Sequence, residues 1–356
     1  MGRSAATLSA LFACLVVSGV ASAMPTPEPA LSSRSGVGSW AEPQIRTVVA
    51  RGLMGGSLAN FRPDDPLTQT DLRALVGELG SGDSAPAPGP PGEEGPSPPV
   101  TMATLDARLV DALGLGASAA RITAAARAAG LNPPSRFGTE VAARLLGLRT
   151  NHPARSDDLE LLPSDPATRA EAAFSVAQIL KLAPSDIDAV RAAAAGIGLP
   201  HPSEWQARVL NVAIGLIGYP YVWGGSSETA EEVFGVRSHG GFDCSGFVWR
   251  VYKIETYAGG EELTQTLRGR TTYVMSGEVP KTKRIAFAKL QPADVVFFGD
   301  HGPKSAPGEV GHMGIYLGGG WFIHSSDEGV ALARLTGWYR ERFAWARRPL
   351  AEAGLS

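Results

Sequence analysis

The residues best suited to covalent chemistry lie in the last third of the chain. Cys244 stands in the stretch FDCSG, while His312 and His324 stand in the strand-like stretches HMGIYL and WFIHSS. A thiol that gives its proton to an imidazole becomes a nucleophile for acyl transfer, and another polar side chain can orient that imidazole. These three residue types together predict catalysis by a cysteine nucleophile.

The sequence that follows Cys244 predicts a helix whose first turn contains the thiol. Phe247, Val248 and Val251 have the spacing of one apolar helical face. At such a position the free backbone N–H groups and the positive end of the helix dipole favour the thiolate. We therefore expect the pKa of Cys244 to lie below its ordinary value of about 8.5.

The two histidines are expected to meet across a β-hairpin. Gly318-Gly319-Gly320 separates their strands, and a three-residue loop would set Gly314 opposite His324. His312 would then lie on the same face, diagonal to His324 and within side-chain reach. A two-residue loop would turn the histidines to opposite faces, so the arrangement predicts the longer turn or a bulge.

Cys244 is expected to be the sole thiol of the mature protein. The chain has two cysteines, and the other, Cys14, lies in a predicted secretory signal peptide, residues 1–23. This prediction rests on a positively charged start, an apolar run over residues 8–20 and the small residues at positions 21–23. An uncleaved signal anchor, or a lipid attached to Cys14, is the alternative.

Five sequence stretches follow one another in the C-terminal region, after a predicted helix that Ser203 can cap. They are YPYVWGG (219–225), FDCSG (242–246), LQPADVVFF (290–298), HMGIYLG (312–318) and FIHS (322–325). In this order they resemble the NlpC (NlpC/p-sixty) family of bacterial cell-wall cysteine peptidases, which are compact relatives of papain. The resemblance implies an α+β, papain-like domain over residues 203–350, with N-terminal helices packed on a small antiparallel sheet.

The resemblance also implies a role for each candidate catalytic residue. Cys244 is the nucleophile, His312 is the base, and His324 orients the base. The reaction is cleavage of the D-γ-glutamyl bond to the diamino acid in peptidoglycan stem peptides, through an acyl-thioester. The backbone N–H of Cys244 is the expected oxyanion donor, and no metal or cofactor is required.

Further residues are expected to form the substrate cleft. Tyr221, Asp243 and Ser245 match family positions that hold the free amino end of the stem peptide. Alternatively, Asp243 is a helix cap and Tyr221 packs in the core, and neither contacts substrate. Residues 226–240 and 300–311 look like insertions relative to the family, and we expect them to narrow the cleft.

Other functions are compatible with the same residues. An N-acetylmuramoyl-L-alanine amidase or an acyltransferase would use the same Cys–His scaffold on another bond. A zinc hydrolase would use Cys244, His312 and His324 as ligands, although the chain has no HExxH or paired CxxC pattern. A non-catalytic cell-wall-binding protein would need none of these side chains.

The N-terminal half contains helix–loop–helix patterns that repeat. Helical patterns over residues 40–56 and 69–80 flank the loop SLANFRPDDPLT, and Thr68 and Asp71 could cap the second helix. A related pattern returns as AARITAAARAAGL, then LLPSDPAT, then RAEAAFSVAQIL. Repeated units of this kind predict modules that stack to complete one core.

These repeats resemble surface-layer homology (SLH) modules, which run from a Trp-bearing helix through a G-x-F-x-P loop to a T-R-A-E helix. The matching residues are Trp40, Gly52, Phe61, Pro63 and Thr168-Arg169-Ala170-Glu171. The resemblance implies an all-α domain, with one repeat over residues 40–80 and partial repeats over 100–182. It also implies that Arg169 helps to bind an anionic secondary cell-wall polymer. A structural spacer is the alternative.

Composition limits the remaining possibilities. With Lys+Arg 32 and Asp+Glu 35 the net charge is −3, which excludes a nucleic-acid binder that relies on a basic surface. Residues 24–39 and 81–99 are predicted linkers, and 183–202 a connector. No stretch after the signal is long and uncharged enough to span a membrane. We therefore expect a bacterial protein secreted to the cell wall or cell surface.

Overall fold

The computed structural model describes residues 35–80 and 97–355, and these residues belong to one compact unit. The predicted signal peptide, residues 1–23, lies outside the described residues. So do most of the predicted linkers, 24–39 and 81–99. The described residues form an α+β fold, with helices in the N-terminal half and a mixture of helices and strands in the C-terminal half.

Helices form the N-terminal half, and three of them start at a threonine cap. The helices are α1 (Glu42–Ala50), α2 (Gln69–Gly80), α3 (Met102–Ala112), α4 (Gly116–Ala128), α5 (Phe137–Leu145), α6 (Arg169–Ile179) and α7 (Pro184–Ala195). The predicted cap of α2 is confirmed, because the Asp71 N–H donates to Thr68 Oγ1 at 3.1 Å. Thr101 and Thr168 cap α3 and α6 in the same way.

Among the helices that the structure describes, no single one is long and apolar enough to cross a membrane. Helices α3 and α4 meet the length and composition criteria only as a pair, and that pair is bent by 118°.

A closed ring of backbone hydrogen bonds joins the segments that precede α2, α3 and α6. The Leu67 N–H donates to Ala167 O at 2.7 Å, the Ala167 N–H to Val100 O at 2.7 Å, and the Val100 N–H to Leu67 O at 2.8 Å. Each segment therefore donates to one neighbour and accepts from the other. Val100, which the sequence placed in a partial repeat, is an equal member of the ring.

The C-terminal half combines helices with an antiparallel sheet. Its helices are α8 (Glu204–Gly215), α9 (Cys244–Trp249), α10 (Thr272–Gly277), α11 (Gly337–Arg342) and α12 (Pro349–Glu352). Its strands are β1 (Ser226–Ser227), β2 (Glu231–Val233), β3 (Val236–Ser238), β4 (Gly241–Phe242), β5 (Val295–Gly299), β6 (Val310–Gly318), β7 (Trp321–Ser326), β8 (Gly329–Arg334) and β9 (Phe343–Arg347). The predicted cap of α8 is confirmed, because Ser203 and Gln206 form a capping box.

The sheet gives α9 and α10 a surface to pack on. Within the described residues, its five strands lie in the order β8-β7-β6-β5-β9, and every neighbouring pair is antiparallel. Helix α9 packs on β6 and β7, and α10 packs on β6. The central strand β6 therefore contacts both helices, and side chains of α9 and α10 can meet there.

One hydrophobic cluster joins part of the helical half to the sheet, and a second cluster lies within the helical half alone. Phe137 and Val141 on α5 belong to the same buried cluster as Ile214 on α8 and Phe247 on α9. Polar contacts add to the junction, since Arg144 Nη2 donates to Gly218 O at 2.7 Å. Helix α7, in the predicted connector over residues 183–202, contributes Val190 to the cluster of the helical half and Ala194 to the cluster that reaches the sheet.

We predict that Phe137→Ala destabilises both halves together. Phe137 is fully buried in the shared core, and such a truncation costs about 3–5 kcal/mol of unfolding free energy. Thermal unfolding, followed by near-ultraviolet circular dichroism and by tryptophan fluorescence, should show a single transition at a lower temperature.

The matched control is Leu145→Ala. Leu145 ends the same helix and is 37% exposed, so its truncation should change the unfolding free energy by about 0.5 kcal/mol or less. Two separate transitions for Phe137→Ala, of which only one moves, would contradict the shared core.

Candidate active site

Cys244 is the first residue of α9, so its predicted place in the first turn of a helix is confirmed. Asp243 precedes it as the N-cap in an extended conformation, and the Asp243 carboxylate accepts a hydrogen bond from the Gly246 N–H. A carboxylate at this position satisfies an N–H group that the first turn leaves without a partner. The cap therefore fixes where the helix begins and where the thiol lies.

The sulfur of Cys244 lies between α10 and the central strand of the sheet. It is 3.4 Å from Thr272 Oγ1, and the backbone N–H groups of Ser245 and Met313 also hydrogen-bond to it. Met313 directly follows His312 in β6, so the sulfur faces the strand that carries the candidate base. Among the hydrogen bonds of the described residues, none joins the sulfur to an imidazole.

His312 and His324 meet across β6 and β7. The strands pair Ile315 with Ile323, and the register shifts just before Gly318, so the predicted bulge is present. His312 Nε2 lies 3.0 Å from His324 Nδ1, and the two rings stand at 89° to one another. The hairpin thus brings the two imidazoles into direct hydrogen-bonding contact.

Aromatic rings enclose both imidazoles. Phe298 stacks on His312 with ring centroids 5.8 Å apart, and Phe322 stacks on His324 at 4.8 Å. Tyr339 Oη lies 3.5 Å from His324 Nε2. Burial lowers the pKa of His312 to about 4 and the pKa of His324 well below its ordinary value. Both rings are therefore neutral at pH 7.

A pair of neutral imidazoles has a defined proton arrangement. One of the two facing nitrogens, His312 Nε2 or His324 Nδ1, carries the proton and the other accepts it. If His312 Nε2 is the donor, the lone pair of His312 Nδ1 is free to take a proton. His324 then carries its own proton on Nε2, where the Tyr339 oxygen can accept it. Only this arrangement makes His312 a base.

The expectation of a lowered thiol pKa is wrong. Burial raises the pKa of Cys244 to about 11, and the negative charge of Asp243 acts in the same direction. Hydrogen bonds from Thr272, the Ser245 N–H and the Met313 N–H lower the pKa but do not compensate for the burial. The resting thiol and the imidazole of His312 are therefore both neutral.

Asp243 and Ser245, two of the predicted substrate contacts, lie next to an arginine that the sequence did not reveal. Asp243 Oδ1 accepts from Ser245 Oγ at 2.9 Å and from Arg270 Nη1 at 3.1 Å, and Oδ2 accepts from the Gly224 N–H at 3.0 Å. The Asp243 side chain is only 12% exposed. The helix-cap interpretation of Asp243 is therefore correct, whatever else this carboxylate does.

Tyr221, the third predicted substrate contact, lies close to the same group. Burial raises the pKa of its phenol, and the nearby negative charge of Asp243 raises it further. The hydroxyl is therefore protonated at any physiological pH, and can donate a hydrogen bond to a ligand.

Thr272 and Arg270 come from one segment that sequence reasoning missed. Thr272 is the first residue of α10, and a threonine at a helix start reads as an ordinary capping residue. Its hydroxyl reaches the sulfur only because α10 packs on β6 beside α9. No local pattern contains that information, since the contact joins residues 28 positions apart.

Comparison with known families adds to this geometry. Residues 218–348 match the NlpC/P60 family, and residues 35–71 match the S-layer homology domain. The first of these matches contains Cys244, His312 and His324.

Curated relatives align with the same part of the chain. The chain is 34% identical to the probable peptidoglycan endopeptidase LytE of Bacillus subtilis over 40% of its length and 34% of the relative's length. It is 32% identical to the probable endopeptidase YafL of Escherichia coli over 38% and 47% of the respective lengths. It is 33% identical to the bifunctional muramidase/DL-endopeptidase CwlT of Bacillus subtilis over 39% and 35%. The chain thus spans less than half of each of these relatives.

The two apparent insertions of the NlpC/P60 domain contact the elements that hold the site. Residues 226–240 contain a hairpin, β2–β3, whose tip residue Phe234 lies against Gly224. Residues 300–311 pack on α10, where Ser276 Oγ donates to Pro307 O at 3.4 Å. The first segment therefore borders the Asp243 group, and the second supports the helix that carries Thr272.

A zinc hydrolase needs several ligand side chains arranged around one metal ion. Within residues 35–80 and 97–355, no group of three or more His, Cys, Asp or Glu side chains is arranged to hold a metal ion.

Arg169, the predicted polymer contact, lies in the helical half at the start of α6. Its Nε donates to Phe61 O at 2.9 Å and its Nη2 to Met54 O at 3.1 Å, while Nη1 lies 3.8 Å from an Asp71 carboxylate oxygen. Phe61, Met54 and Asp71 belong to the segment that matches the SLH domain. The guanidinium thus joins that segment to α6.

We predict that iodoacetamide alkylates Cys244 slowly at neutral pH, with a rate that keeps rising into the alkaline range. Only the thiolate reacts, and burial holds the pKa of this thiol near about 11. Peptide-resolved mass spectrometry measures modification of Cys244 separately from that of Cys14. A rate that reaches its plateau below about pH 8 would contradict the neutral resting pair.

Two threonine variants test whether the Thr272 hydroxyl lowers the pKa of the Cys244 thiol. Thr272→Val removes a hydroxyl that lowers the thiol pKa, so its rate profile should shift to higher pH. Thr271→Val is the matched control, because the Thr271 hydroxyl is buried without a hydrogen-bond partner in the described structure. Equal profiles for the two variants would show that the Thr272 contact does not act on the sulfur.

Proposed function

We propose that the protein is a bacterial cell-wall cysteine endopeptidase, which cleaves the D-γ-glutamyl bond to the diamino acid in peptidoglycan stem peptides. One observation carries the proposal. Cys244 begins α9 and faces β6, the strand in which His312 lies within hydrogen-bonding distance of His324, and all three residues lie in the segment that matches the NlpC/P60 family. Similarity to the probable endopeptidases LytE and YafL and to the muramidase/DL-endopeptidase CwlT supports the same reaction class.

The proposed site is papain-like, because a helix and a sheet supply different catalytic groups. The helix places the nucleophile and its backbone N–H groups at one wall of the cleft. The antiparallel sheet places the base and the residue that orients it at the other wall. In this arrangement Cys244 is the nucleophile, His312 is the base, and His324 selects the proton arrangement of His312.

The first half of the proposed reaction forms the thioester. His312 Nδ1 takes the thiol proton as the sulfur attacks the peptide carbonyl carbon. The positive charge on the imidazole is shared through the hydrogen bond from His312 Nε2 to His324 Nδ1. The backbone N–H of Cys244 donates to the developing oxyanion, a contribution of about 3 kcal/mol when the donor is well aimed. His312 then protonates the leaving amine, and the carbon–nitrogen bond breaks.

The second half of the proposed reaction releases the acid. His312 takes a proton from water, and the resulting hydroxide attacks the thioester carbonyl. The carbon–sulfur bond breaks, and the thiol regains its proton from His312. Because the resting thiol and imidazole are both neutral, proton transfer accompanies each attack and does not precede substrate binding.

We also propose that the protein is secreted and that its helical half attaches it to the cell wall through an anionic secondary polymer. The SLH match over residues 35–71 supports this role. Arg169 lines a groove of this half together with Asp71 and Glu78. A polymer bound there would meet charges of both signs, with Arg169 supplying the cation.

We predict that wild-type protein cuts purified peptidoglycan into fragments with a new amino group on the diamino acid. Cys244→Ala and His312→Ala should lower the rate by roughly a thousandfold or more, because nucleophile and base act as a unit. Mass spectrometry of the soluble fragments identifies the bond.

The matched control is His301→Ala. His301 lies in the same domain, its side chain is 65% exposed, and its neighbour is Glu309, so its loss should leave the rate unchanged. Fragments that keep an intact stem but have lost the muramoyl group would show an amidase. Equal activity of Cys244→Ala and wild type would show that the thiol is not the nucleophile.

We predict that full-length Cys244→Ala protein binds purified cell walls and loses most of that binding when the anionic secondary polymer is extracted. The full chain is needed because residues of the helical half, Phe137 and Val141 among them, are buried in the same cluster as the C-terminal half. Co-sedimentation measures retention. Equal retention on intact and extracted walls would contradict polymer binding and favour a spacer role.

A further inference from the structure

Tyr339, in α11, packs on the two imidazoles and on the aromatic rings beside them. Its ring centroid lies 5.3 Å from that of His324 and 6.2 Å from that of His312. It also lies 4.9 Å from the ring of Phe322 and 5.3 Å from that of Phe298. A phenylalanine ring would fill the same space, so packing alone gives no reason for a hydroxyl at this position.

The Tyr339 hydroxyl completes the hydrogen bonding of a buried imidazole. His324 is 2% exposed, and its Nδ1 lies 3.0 Å from His312 Nε2. Its other ring nitrogen, Nε2, has Tyr339 Oη as a partner at 3.5 Å. Buried polar atoms without a partner are costly, and a hydrogen bond that is long in a resting enzyme often shortens when substrate binds. Both nitrogens of His324 therefore have a neighbour that can fix where the ring carries its proton.

The direction of the hydrogen bond between Tyr339 and His324 decides whether His312 can act as a base. If His324 Nε2 donates to the phenol oxygen, His324 Nδ1 accepts from His312 Nε2, and His312 Nδ1 keeps a free lone pair. If the phenol donates instead, His324 carries its proton on Nδ1, and neutral His312 must hold its own proton on Nδ1. The second arrangement leaves His312 without a free basic nitrogen.

Two carboxylates lie near the Tyr339 hydroxyl, in the turn between β7 and β8 (the acidic turn, residues 326–329). His324 and Ser326 are two residues apart in β7, so their side chains lie on the same face of the sheet. Ser326 Oγ donates to Glu328 Oε2 at 3.1 Å, which holds this carboxylate on that face. Burial and the negative charges of Glu328 and Asp327 raise the pKa of Tyr339 to about 12. A hydroxyl dipole in this field points its hydrogen towards the acids and leaves its lone pairs for His324 Nε2.

The backbone fixes the acidic turn in place. Ser326 pairs with Gly329 across the turn, and Gly329 has a φ of 77°, a conformation that glycine adopts without strain. A Cβ at residue 329 would lie 2.3 Å from Tyr219 O, and the Val330 N–H donates to the same oxygen at 2.8 Å. The turn is thus packed against residue 219, and its acids keep a constant position relative to β7.

We propose that Tyr339 is a positioning residue, whose hydroxyl oxygen accepts the His324 Nε2 proton and thereby keeps His312 in the form that can take the thiol proton. The acidic turn directs the hydroxyl. When His312 becomes an imidazolium during the reaction, it donates more strongly to His324, and His324 donates more strongly to the phenol oxygen. This inference rests on the proposed endopeptidase function, because the proton arrangement matters for the reaction when His312 is the base.

The first test reads the proton arrangement in the full chain with isotope-labelled histidine. A ring-nitrogen NMR spectrum at neutral pH shows which nitrogen of each imidazole carries the proton, and His324→Ala identifies the His324 signals. In wild type, both His312 and His324 should carry the proton on Nε2. A wild-type His324 that is protonated on Nδ1 would refute the proposal, whatever the activity of the enzyme.

The second test is Tyr339→Phe, which removes the hydroxyl and keeps the packed ring. The kcat for a synthetic stem tetrapeptide should fall roughly tenfold, the cost of one lost hydrogen bond, while KM stays unchanged. The NMR spectrum should show a mixture of the two proton arrangements. If the ring had only a packing role, neither kcat nor the proton arrangement would change, and that result would contradict the proposal.

The matched control for this variant is Tyr316→Phe. Tyr316 lies in β6, the strand that carries His312, and its hydroxyl oxygen accepts from the Gly320 N–H at 3.1 Å. The change removes the same atom from the same sheet without touching His324, so kcat and the proton arrangement should equal those of wild type. An equal loss of kcat in both variants would show that Tyr339 has no special role.

A charge variant tests what directs the hydroxyl. Glu328→Gln removes one negative charge of the acidic turn, so part of the His324 population should become protonated on Nδ1 and kcat should fall severalfold. Glu341→Gln is the matched control, because Glu341 is an exposed acid of α11, the helix that carries Tyr339. Equal proton arrangements in the two variants would contradict the role of the acidic turn.

The outcomes separate this proposal from the function on which it rests. Loss of activity in Cys244→Ala, together with full activity in Tyr339→Phe, would remove the role of Tyr339 and leave the endopeptidase function intact. If Cys244→Ala digests peptidoglycan as fast as wild type, the proposed function fails, and the positioning role fails with it.

Discussion

The Asp243 carboxylate is the contact on which the rest of the site depends. It caps α9 and thereby determines that Cys244 is the first helical residue. The same carboxylate binds the Gly224 N–H and the Arg270 guanidinium, so one side chain ties together the helix, the loop before β1 and the segment that leads into α10. That segment also carries Thr272, whose hydroxyl contacts the sulfur of Cys244. Asp243 therefore influences both the position of the sulfur and the charge of the pocket beside it.

Features that depend on neighbouring residues could be predicted from the sequence. The caps at Thr68 and Ser203 follow from short patterns, and both are present. The bulge before Gly318 could be predicted because only a longer turn or a bulge puts His312 and His324 on one face. These predictions succeed since each depends on a few residues close together in the chain.

Features that depend on distant packing could not be predicted. The thiol pKa rises because α9, α10 and β6 remove water from the sulfur, and helix-dipole reasoning about Cys244 alone gives the opposite sign. The ring through Leu67, Val100 and Ala167 and the core shared through Phe137 are further cases. In each, the deciding contact joins residues tens of positions apart, and no local spacing encodes it.

A thiol that stays protonated at rest has consequences outside the catalytic cycle. Peroxides and disulfides react with thiolates far faster than with thiols, and the first oxidised product leads on to irreversible acids. The burial that raises the pKa of Cys244 thus also slows its oxidation between turnovers. If the proposed endopeptidase acts outside the cell with Cys244 as its nucleophile, the protonated thiol makes the first chemical step slower and the working lifetime longer.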